Sequence, residues 1–261
     1  MAVSATSAYA RLIEPYSYHV SETDVFIKHL PERFEGFRIT QLTDVHHSQI
    51  VSLNEVRKVV TLAQQTKPDM FVLTGDYTTS YRRFIEPCAE ALATLKAPEG
   101  SWAVLGNHDH YTDPELTTRA LERNQIKVLN NANTTVRRGP DALQLAGVDD
   151  WTWNAANFSR AFYGLRNDIA TVLLSHQPRV LELEETQNVS LVLSGHTHGG
   201  QINLPFLGSP ARFAISDLKY AHGLFRRRET QLYVSSGTGV IGLPMRLGVR
   251  PEIAVLRLRS G

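Results

Sequence analysis

LSGHTHGG, at residues 193–200, is the most informative segment of this chain. It ends an apolar run and then places two histidines, His196 and His198, one residue apart among glycines. A hydrophobic core does not require imidazoles at this point, whereas a metal site would use them. The stretch therefore raises the hypothesis of a metal site, which the rest of the sequence has to test.

Four other apolar runs end in a similar way. They cover residues 37–42, 69–74, 101–105 and 170–175, and the run that precedes the two histidines covers 189–194. A single polar end would fit a solvated turn, since Asp and Asn are favoured in turns. Because ligands bind outside the carboxyl ends of strands in layered α/β sheets, five such ends predict one shared site. The residues at these ends that we consider candidates are Asp44, His46, Asp76, Asn107, His176, His196 and His198.

Amphipathic segments alternate with these runs and predict helices. The helical patterns begin after Ser52, at Glu86-Pro87 and at Asp113-Pro114, where Ser and Asp suit the N-cap and Pro suits the first turn. Short strands that alternate with helices indicate an α/β layered fold. With 261 residues, 42% of them hydrophobic, and no internal repeat or long linker, the chain is expected to form one domain.

Composition excludes several classes of protein. Lys and Arg number 27 and Asp and Glu number 26, so the chain lacks the strongly basic footprint of a nucleic-acid-binding protein. The single cysteine, Cys88, excludes an intrachain disulfide framework. No apolar run reaches about 18 residues, and the N-terminus lacks the pattern of a secretory signal. We therefore expect a cytoplasmic protein without a transmembrane segment. Peripheral membrane contact stays open, because leucines in residues 204–215 and 240–249 would either touch lipid or pack.

The strand ends supply enough side chains for two metal ions. In an extended segment alternate side chains face the same way, which would pair Asp44 with His46 and His196 with His198. Seven ligands are too many for one tetrahedral ion but suit two ions about 3.5–4 Å apart that share a carboxylate. Mixed imidazole and oxygen ligands fit Mn, Fe, Zn, Ni or Co better than Ca or Mg. The expected ligands are Asp44, His46, Asp76, Asn107, His176, His196 and His198.

The charge of such a site predicts an anionic substrate. Two divalent ions would outweigh the carboxylates of Asp44 and Asp76, so the site would attract an anion such as phosphate. Metal binding lowers the pKa of water from 15.7 toward about 7 and makes a hydroxide nucleophile available at neutral pH. The pattern therefore predicts phosphoester hydrolysis, with a metal-bound hydroxide attacking phosphorus.

The ordered motifs resemble those of the calcineurin-like metallophosphoesterase family. They are D-x-H at 44–46, G-D at 75–76, G-N-H-D at 106–109, the lone His176 and G-H-x-H at 195–198.

Longer segments are similar, more narrowly, to the bacterial YaeI/YkuE-type phosphodiesterase branch of this family. They read LPERFEGFRITQLTDVH at 30–46, GHTHGGQINLP at 195–205 and LYVSSGTGVIGLPMRLGVRPEI at 232–253. The similarity runs from about Asp24 to Leu258, so we expect an N-terminal extension at 1–23 and a single metallophosphoesterase domain at 24–261. The fold that the resemblance implies is a two-sheet β-sandwich flanked by helices, with the metal ions at one edge.

The resemblance also implies a role for each site residue. Asp44, His46 and His198 would hold the first ion. Asp76 would bridge the two ions, and Asn107, His176 and His196 would complete the second site. His108 would be the catalytic histidine, which donates to the phosphate or protonates the leaving oxygen, and Asp109 would orient its imidazole. Thr78-Thr79-Ser80 stand where many relatives place another Asp, so we assign no function to them.

Several functions fit this resemblance. The first is a phosphodiesterase that acts on a small phosphoester or on a nucleotide- or lipid-linked phosphate, with Mn the expected ion for activity in vitro. The alternatives are a UDP-2,3-diacylglucosamine pyrophosphatase of lipid A synthesis and a phosphomonoesterase. A protein-interaction scaffold with the same fold is an alternative of a different class, but such scaffolds typically lose the catalytic histidine, which is present here as His108. The oligomeric state is left open.

Overall fold

Two six-stranded sheets provide the framework that positions the strand ends. The computed structural model describes residues 2–204, 206–213 and 216–261. The strands are β1 (His19–Ile27), β2 (Arg38–Leu42), β3 (Met70–Thr74), β4 (Ser101–Val104), β5 (Ile126–Val128), β6 (Ala132–Arg138), β7 (Asp141–Gly147), β8 (Thr171–Leu174), β9 (Leu191–Ser194), β10 (Gly223–Arg227), β11 (Thr230–Val234) and β12 (Glu252–Ser260). The first sheet has the order β1-β12-β2-β3-β4-β5 and the second has the order β10-β11-β9-β8-β7-β6.

The helices lie between the strands in the chain. They are α1 (Ala2–Leu12), α2 (Leu53–Gln65), α3 (Ile85–Leu92), α4 (Asn107–Thr112), α5 (Pro114–Arg123) and α6 (Phe158–Ala161), and short 3-10 helices occur in the loops. The predicted caps are present: Ser52 Oγ accepts from the backbone N–H of Glu55 at 3.3 Å, and Asp113 Oδ1 accepts from that of Leu116 at 2.8 Å.

The central strands are buried on both faces, which is why they read as continuous apolar runs. In β3, Met70 and Val72 pack into the core between the two sheets. Phe71 and Leu73 point the other way and pack with apolar residues of α2, α3 and α5, which cover the first sheet. The five predicted strands and the two-sheet sandwich with flanking helices are therefore confirmed.

The first sheet begins earlier in the chain than predicted. β1 pairs in parallel with β12 from His19 opposite Glu252 to Ile27 opposite Ser260. Residues 19–23, which we expected in an N-terminal extension, therefore belong to the sheet. The preceding helix, α1, contributes the buried Ala10, whose carbonyl accepts from the backbone N–H of Arg246 at 2.9 Å. Among the residues described, no helix is both long and apolar enough to span a bilayer.

Candidate metal centre

The carboxyl ends of strands from both sheets meet at one edge of the sandwich. β2, β3 and β4 are parallel neighbours in the first sheet, and β8 and β9 are parallel neighbours in the second. The side-chain amide of Gln41 joins the two sheets there, since it donates to Thr74 Oγ1 and to Ser194 O at 2.9 Å each. The loops that follow the five predicted strands consequently lie together.

Asp44, His46 and His198 form a first group of candidate ligands. Nε2 of His198 lies 3.3 Å from Oδ1 of Asp44 and 3.1 Å from Nε2 of His46. All three residues are buried, and the ligand atoms that they offer lie within 4.8 Å of one another.

Asp76, His176 and His196 form a second group. Nε2 of His176 lies 3.2 Å from Oδ2 of Asp76 and 3.2 Å from Nδ1 of His196. Oδ1 of Asn107 lies 3.1 Å from the same His176 nitrogen. The structure thus brings all seven expected ligands together, while their binding of metal stays a prediction.

Asp76 lies between the two groups. Its Oδ2 is 3.2 Å from Nε2 of His176 and 3.5 Å from Nε2 of His46, so one carboxylate oxygen faces an imidazole of each group. A carboxylate that bridges two ions needs this position. The donor set therefore fits two ions, because each group combines imidazole nitrogens with a carboxylate and Asp76 is shared.

The ligand loops are not extended, so the predicted same-face pairing is wrong in its geometry. Asp44 and His46 have φ of 52° each, Asp76 has 57°, His196 has 71° and His198 has 51°. Residues other than glycine in this left-handed region cost on the order of 1–3 kcal/mol each and are held by their surroundings. Here the backbone N–H of Asp44 donates to Gly75 O and that of His46 to Asp76 O, at 3.0 Å each. The chain turns sharply after each strand, and the turn rather than strand alternation places the ligands.

Glycines allow the ligand loops to approach each other. Gly75 has φ of 94°, and a Cβ there would lie 2.5 Å from the backbone nitrogen of Gly106 and 2.9 Å from Nδ1 of His176. A Cβ on Gly195 would lie 2.2 Å from Oδ2 of Asp44. These two positions have no space for a side chain.

Neighbouring groups orient the imidazoles of the second group. Nδ1 of His176 donates to the carbonyl of Thr74 at 2.7 Å, which leaves Nε2 facing Asp76. Nε2 of His196 lies 3.1 Å from Oδ2 of Asp217, which leaves Nδ1 facing His176. Metal-binding histidines usually make such a second hydrogen bond to a carbonyl or carboxylate. Asp217 was not expected from the sequence, because no motif or spacing marks it.

A buried arginine stands behind the first group and was also not expected. Arg246 is fully buried, and its Nη2 lies 3.4 Å from Nδ1 of His198. The guanidinium donates to the carbonyls of Gly239 at 2.6 Å and Ser236 at 2.8 Å. Burial lowers the pKa of Arg246 to about 10, so the group is still charged at neutral pH. The two groups of ligands therefore differ, with a cation behind His198 and a carboxylate behind His196.

His108 lies at the edge of the site. Its ring packs edge-on against His46, with centroids 5.0 Å apart. Its Nδ1 donates to the carbonyl of Thr79 at 2.8 Å, and Thr79 Oγ1 lies 3.2 Å from Nδ1 of His46. Thr79, in the segment to which we assigned no function, thus contacts both histidines.

The predicted contact between Asp109 and the His108 imidazole is wrong. Asp109 is fully buried, and its two carboxylate oxygens accept from backbone N–H groups. The donors are Asp76 at 2.8 Å, Gly106 at 2.9 Å and Tyr77 at 3.0 Å. Burial, reinforced by the charge of Asp76, raises the pKa of Asp109 to about 7. Asp109 thus joins the loop that carries Asp76 to the loop that carries Asn107.

Electrostatics favours neutral imidazoles in the first group. Burial lowers the pKa of His46 to about 3 and that of His198 well below its ordinary value. In the second group burial would lower the pKa of His176, but the adjacent Asp76 carboxylate raises it to about 10. The Asp76 carboxylate, 3.2 Å from Nε2 of His176, thus favours a positive charge on or beside that imidazole.

Comparison with known proteins shows which proteins this chain is similar to. Residues 37–200 match the calcineurin-like phosphoesterase family. The chain is 31% identical over 259 residues to the uncharacterized metallophosphoesterase YkuE of Bacillus subtilis, covering 97% of this chain and 89% of that protein. It is 30% identical over 234 residues to the phosphodiesterase YaeI of Escherichia coli, covering 85% of this chain and 82% of that protein.

Other relatives and a solved structure set limits on the comparison. The chain spans only 52% to 63% of the length of several other curated relatives. The crystal structure of TT1561 of Thermus thermophilus is similar with a TM-score of 0.53 and 16% identity, covering 77% of this chain and 90% of that one. At that identity the likeness concerns the fold alone.

Proposed function

Because this chain belongs to the calcineurin-like phosphoesterase family, we propose that it is a phosphodiesterase that depends on two metal ions. The observation that carries the proposal is the position of Asp76 Oδ2, 3.5 Å from Nε2 of His46 and 3.2 Å from Nε2 of His176. Asp44, His46 and His198 would hold one ion, and Asn107, His176 and His196 the other. Bound ions supply the Lewis acidity that makes water nucleophilic and holds phosphate oxygens, and Mn is the ion we expect to support activity in vitro.

The remaining site residues act by position and by proton transfer. The Thr79 carbonyl holds the proton of His108 on Nδ1, so Nε2 is the nitrogen available to a substrate. We assign to His108, when it is doubly protonated, donation from Nε2 to the phosphate or to the leaving oxygen. The Asp109 carboxylate accepts hydrogen bonds from the backbone N–H groups of Asp76 and of Gly106, the neighbour of Asn107, and so positions Asp76 and Asn107.

A phosphodiester is the substrate class we propose, supported by the similarity to the phosphodiesterase YaeI. The alternatives are tested by comparing rates on bis(p-nitrophenyl) phosphate, p-nitrophenyl phosphate and UDP-2,3-diacylglucosamine. A higher kcat/KM on either of the last two would replace the phosphodiesterase proposal with a phosphomonoesterase or a pyrophosphatase. Absence of measurable metal affinity would instead favour an interaction scaffold.

The decisive experiment removes the metal and restores it. We expect metal-stripped protein to lose hydrolysis of bis(p-nitrophenyl) phosphate and to regain it with Mn²⁺. Asn107→Ala, His108→Ala and His198→Ala should each lower kcat/KM by about 100-fold or more. Asp168→Asn, an exposed carboxylate paired with Arg166, is the matched control and should change little. Full activity of the metal-stripped protein would contradict the proposal.

A further inference from the structure

A cavity of about 330 Å³ opens beside two of the candidate ligands, His196 and His198. One wall comes from the loop that follows the ligands and the other from the loop between β11 and β12. Most of the side chains along these walls are apolar. The apolar lining residues are Ile202, Pro210, Ala211, Ile241 and Leu243.

Hydrogen bonds hold the two walls in place. The side-chain amide of Gln201 donates to the carbonyls of Ile241 at 2.9 Å and Leu243 at 3.0 Å, and its oxygen accepts from the backbone N–H of Ile241 at 2.9 Å. The hydroxyl of Ser209 donates to the carbonyl of Gly200 at 3.1 Å. Both walls are thereby attached to the loop that carries the ligands, so the cavity exists before any substrate binds.

The proposed proton donor does not line the cavity. His196 and His198 line it, whereas His108 is absent from its walls and packs against His46. If the leaving oxygen faces His108, the substituent next to the cavity is the ester group that stays on the phosphate. An apolar wall beside a phosphate site suits a substrate that is apolar next to its phosphate.

We propose that this cavity binds an apolar substituent on the ester oxygen that stays on phosphorus when a phosphodiester is hydrolysed. The cavity would then define the substrate class of the enzyme, and this inference rests on the proposed phosphodiesterase function. Water adds its oxygen to phosphorus, the bond from phosphorus to the leaving oxygen breaks, and the proton lost by water balances the one gained by the leaving group. The products are an alcohol or phenol and a phosphomonoester that still carries the apolar group.

A homologous series of substrates tests this assignment. We would measure kcat/KM of the Mn²⁺-loaded protein on methyl, ethyl, butyl and hexyl p-nitrophenyl phosphates, all with the same leaving group and below their aggregation limits. Burial of one methylene is worth about 0.8 kcal/mol, which corresponds to a factor of about four, so we expect kcat/KM to rise roughly two- to four-fold for each methylene. A flat series in the wild-type protein would overturn the proposal.

Variants of the wall provide the internal control. Leu243→Asn keeps the size of the side chain nearly constant, and Ile241→Thr shortens it by one carbon and adds a hydroxyl. Each should lower the ratio of hexyl to methyl kcat/KM at least five-fold. Leu207→Asn changes an exposed leucine that belongs to the same region but does not line the cavity, and it should leave the ratio unchanged. Because the ratio is taken within one protein, it does not depend on the fraction of active enzyme.

The outcomes separate this proposal from the proposed function. If Mn²⁺-loaded protein hydrolyses neither the series nor bis(p-nitrophenyl) phosphate, the phosphodiesterase assignment fails. If it hydrolyses the methyl ester but shows no dependence on chain length, only the cavity assignment fails. An equal decrease in the hexyl-to-methyl ratio of kcat/KM in Leu207→Asn and Leu243→Asn would also overturn the cavity assignment, because the decrease would then not come from the cavity wall.

Discussion

Oδ2 of Asp217 lies 3.1 Å from Nε2 of His196 and directs the other nitrogen of that imidazole toward the candidate metal centre. A carboxylate in this position fixes the tautomer of a ligating histidine and raises its basicity. Asp217→Asn keeps the shape but removes the charge, so we expect about ten-fold weaker binding of one of the two Mn²⁺ ions. Isothermal titration calorimetry of metal-stripped protein measures this, with Asp168→Asn as the exposed control. Unchanged affinity at both sites would show that Asp217 does not act on His196.

Substitutions at Asp76 and Asn107 are expected to differ in the number of metal ions that the protein loses. Asp76→Asn removes the charge shared by both groups, so bound Mn²⁺ should fall from two ions toward none at micromolar metal. Asn107→Ala removes a ligand of the second group alone, so one ion should remain. Elemental analysis after gel filtration gives the stoichiometry. Equal losses in the two variants would contradict the bridging position of Asp76.

Gly75 is expected to tolerate alanine much less well than Gly164. Both glycines have positive φ, at 94° and 78°, but only Gly75 has close neighbours, whereas a Cβ at Gly164 meets nothing within 4 Å. Gly164→Ala should lower the free energy of unfolding by about 1 kcal/mol, the cost of the left-handed backbone. In Gly75→Ala the new Cβ would also overlap the backbone of Gly106, so the free energy of unfolding should fall by roughly 2–4 kcal/mol in total. Urea denaturation of the two metal-stripped variants makes the comparison, and similar midpoints would refute it.

Arg246 is expected to stabilise the fold as well as the site. Replacing it with methionine leaves the carbonyls of Ser236 and Gly239 without their buried donor. Each unpaired buried acceptor costs about 1–3 kcal/mol, so we expect a loss of roughly 3 kcal/mol in the free energy of unfolding. Arg226→Met, at an exposed position, is the control and should change it by less than about 0.5 kcal/mol. Thermal or urea unfolding distinguishes the two variants.

Glu252 is expected to make stability depend on acid pH. Burial would raise its pKa, but hydrogen bonds, above all with His222, lower it from 4.5 to about 2. The stabilisation is therefore complete above about pH 4.5 and is lost as pH falls toward 2. Glu252→Gln should lower the free energy of unfolding by about 2–3 kcal/mol at pH 7 and by much less near pH 2.5. Urea unfolding at both pH values measures this difference. Glu229→Gln, at an exposed position, should show no such change.

Local patterns predicted β2, β3, β4, β8 and β9, the starts of α2, α3 and α5, and the candidate ligands, but not the other strands or α4, which begins at Asn107. Strands that are buried on both faces are visible in the sequence as continuous apolar runs. The helix caps at Ser52 and Asp113 are also predictable, because each cap bonds to a backbone N–H within one helical turn. Local patterns failed for the geometry of the ligand loops, because strand alternation does not apply to residues with positive φ such as Asp44 and His198. They failed also for Asp109, because two of its three backbone donors, Asp76 and Tyr77, lie in another loop.

Which side chains are available at the site follows from the chain's local patterns, because each candidate ligand lies within four residues of the end of a strand and parallel strands end at a common edge. What surrounds these side chains depends on tertiary packing. Asp217, Arg246 and Thr79 reach the histidines from separate loops, and the cavity wall at Ile241 is attached through Gln201, 40 positions away in the chain. Such contacts depend on how the loops pack against each other. No local pattern in the sequence predicts contacts between residues that are so far apart in the chain.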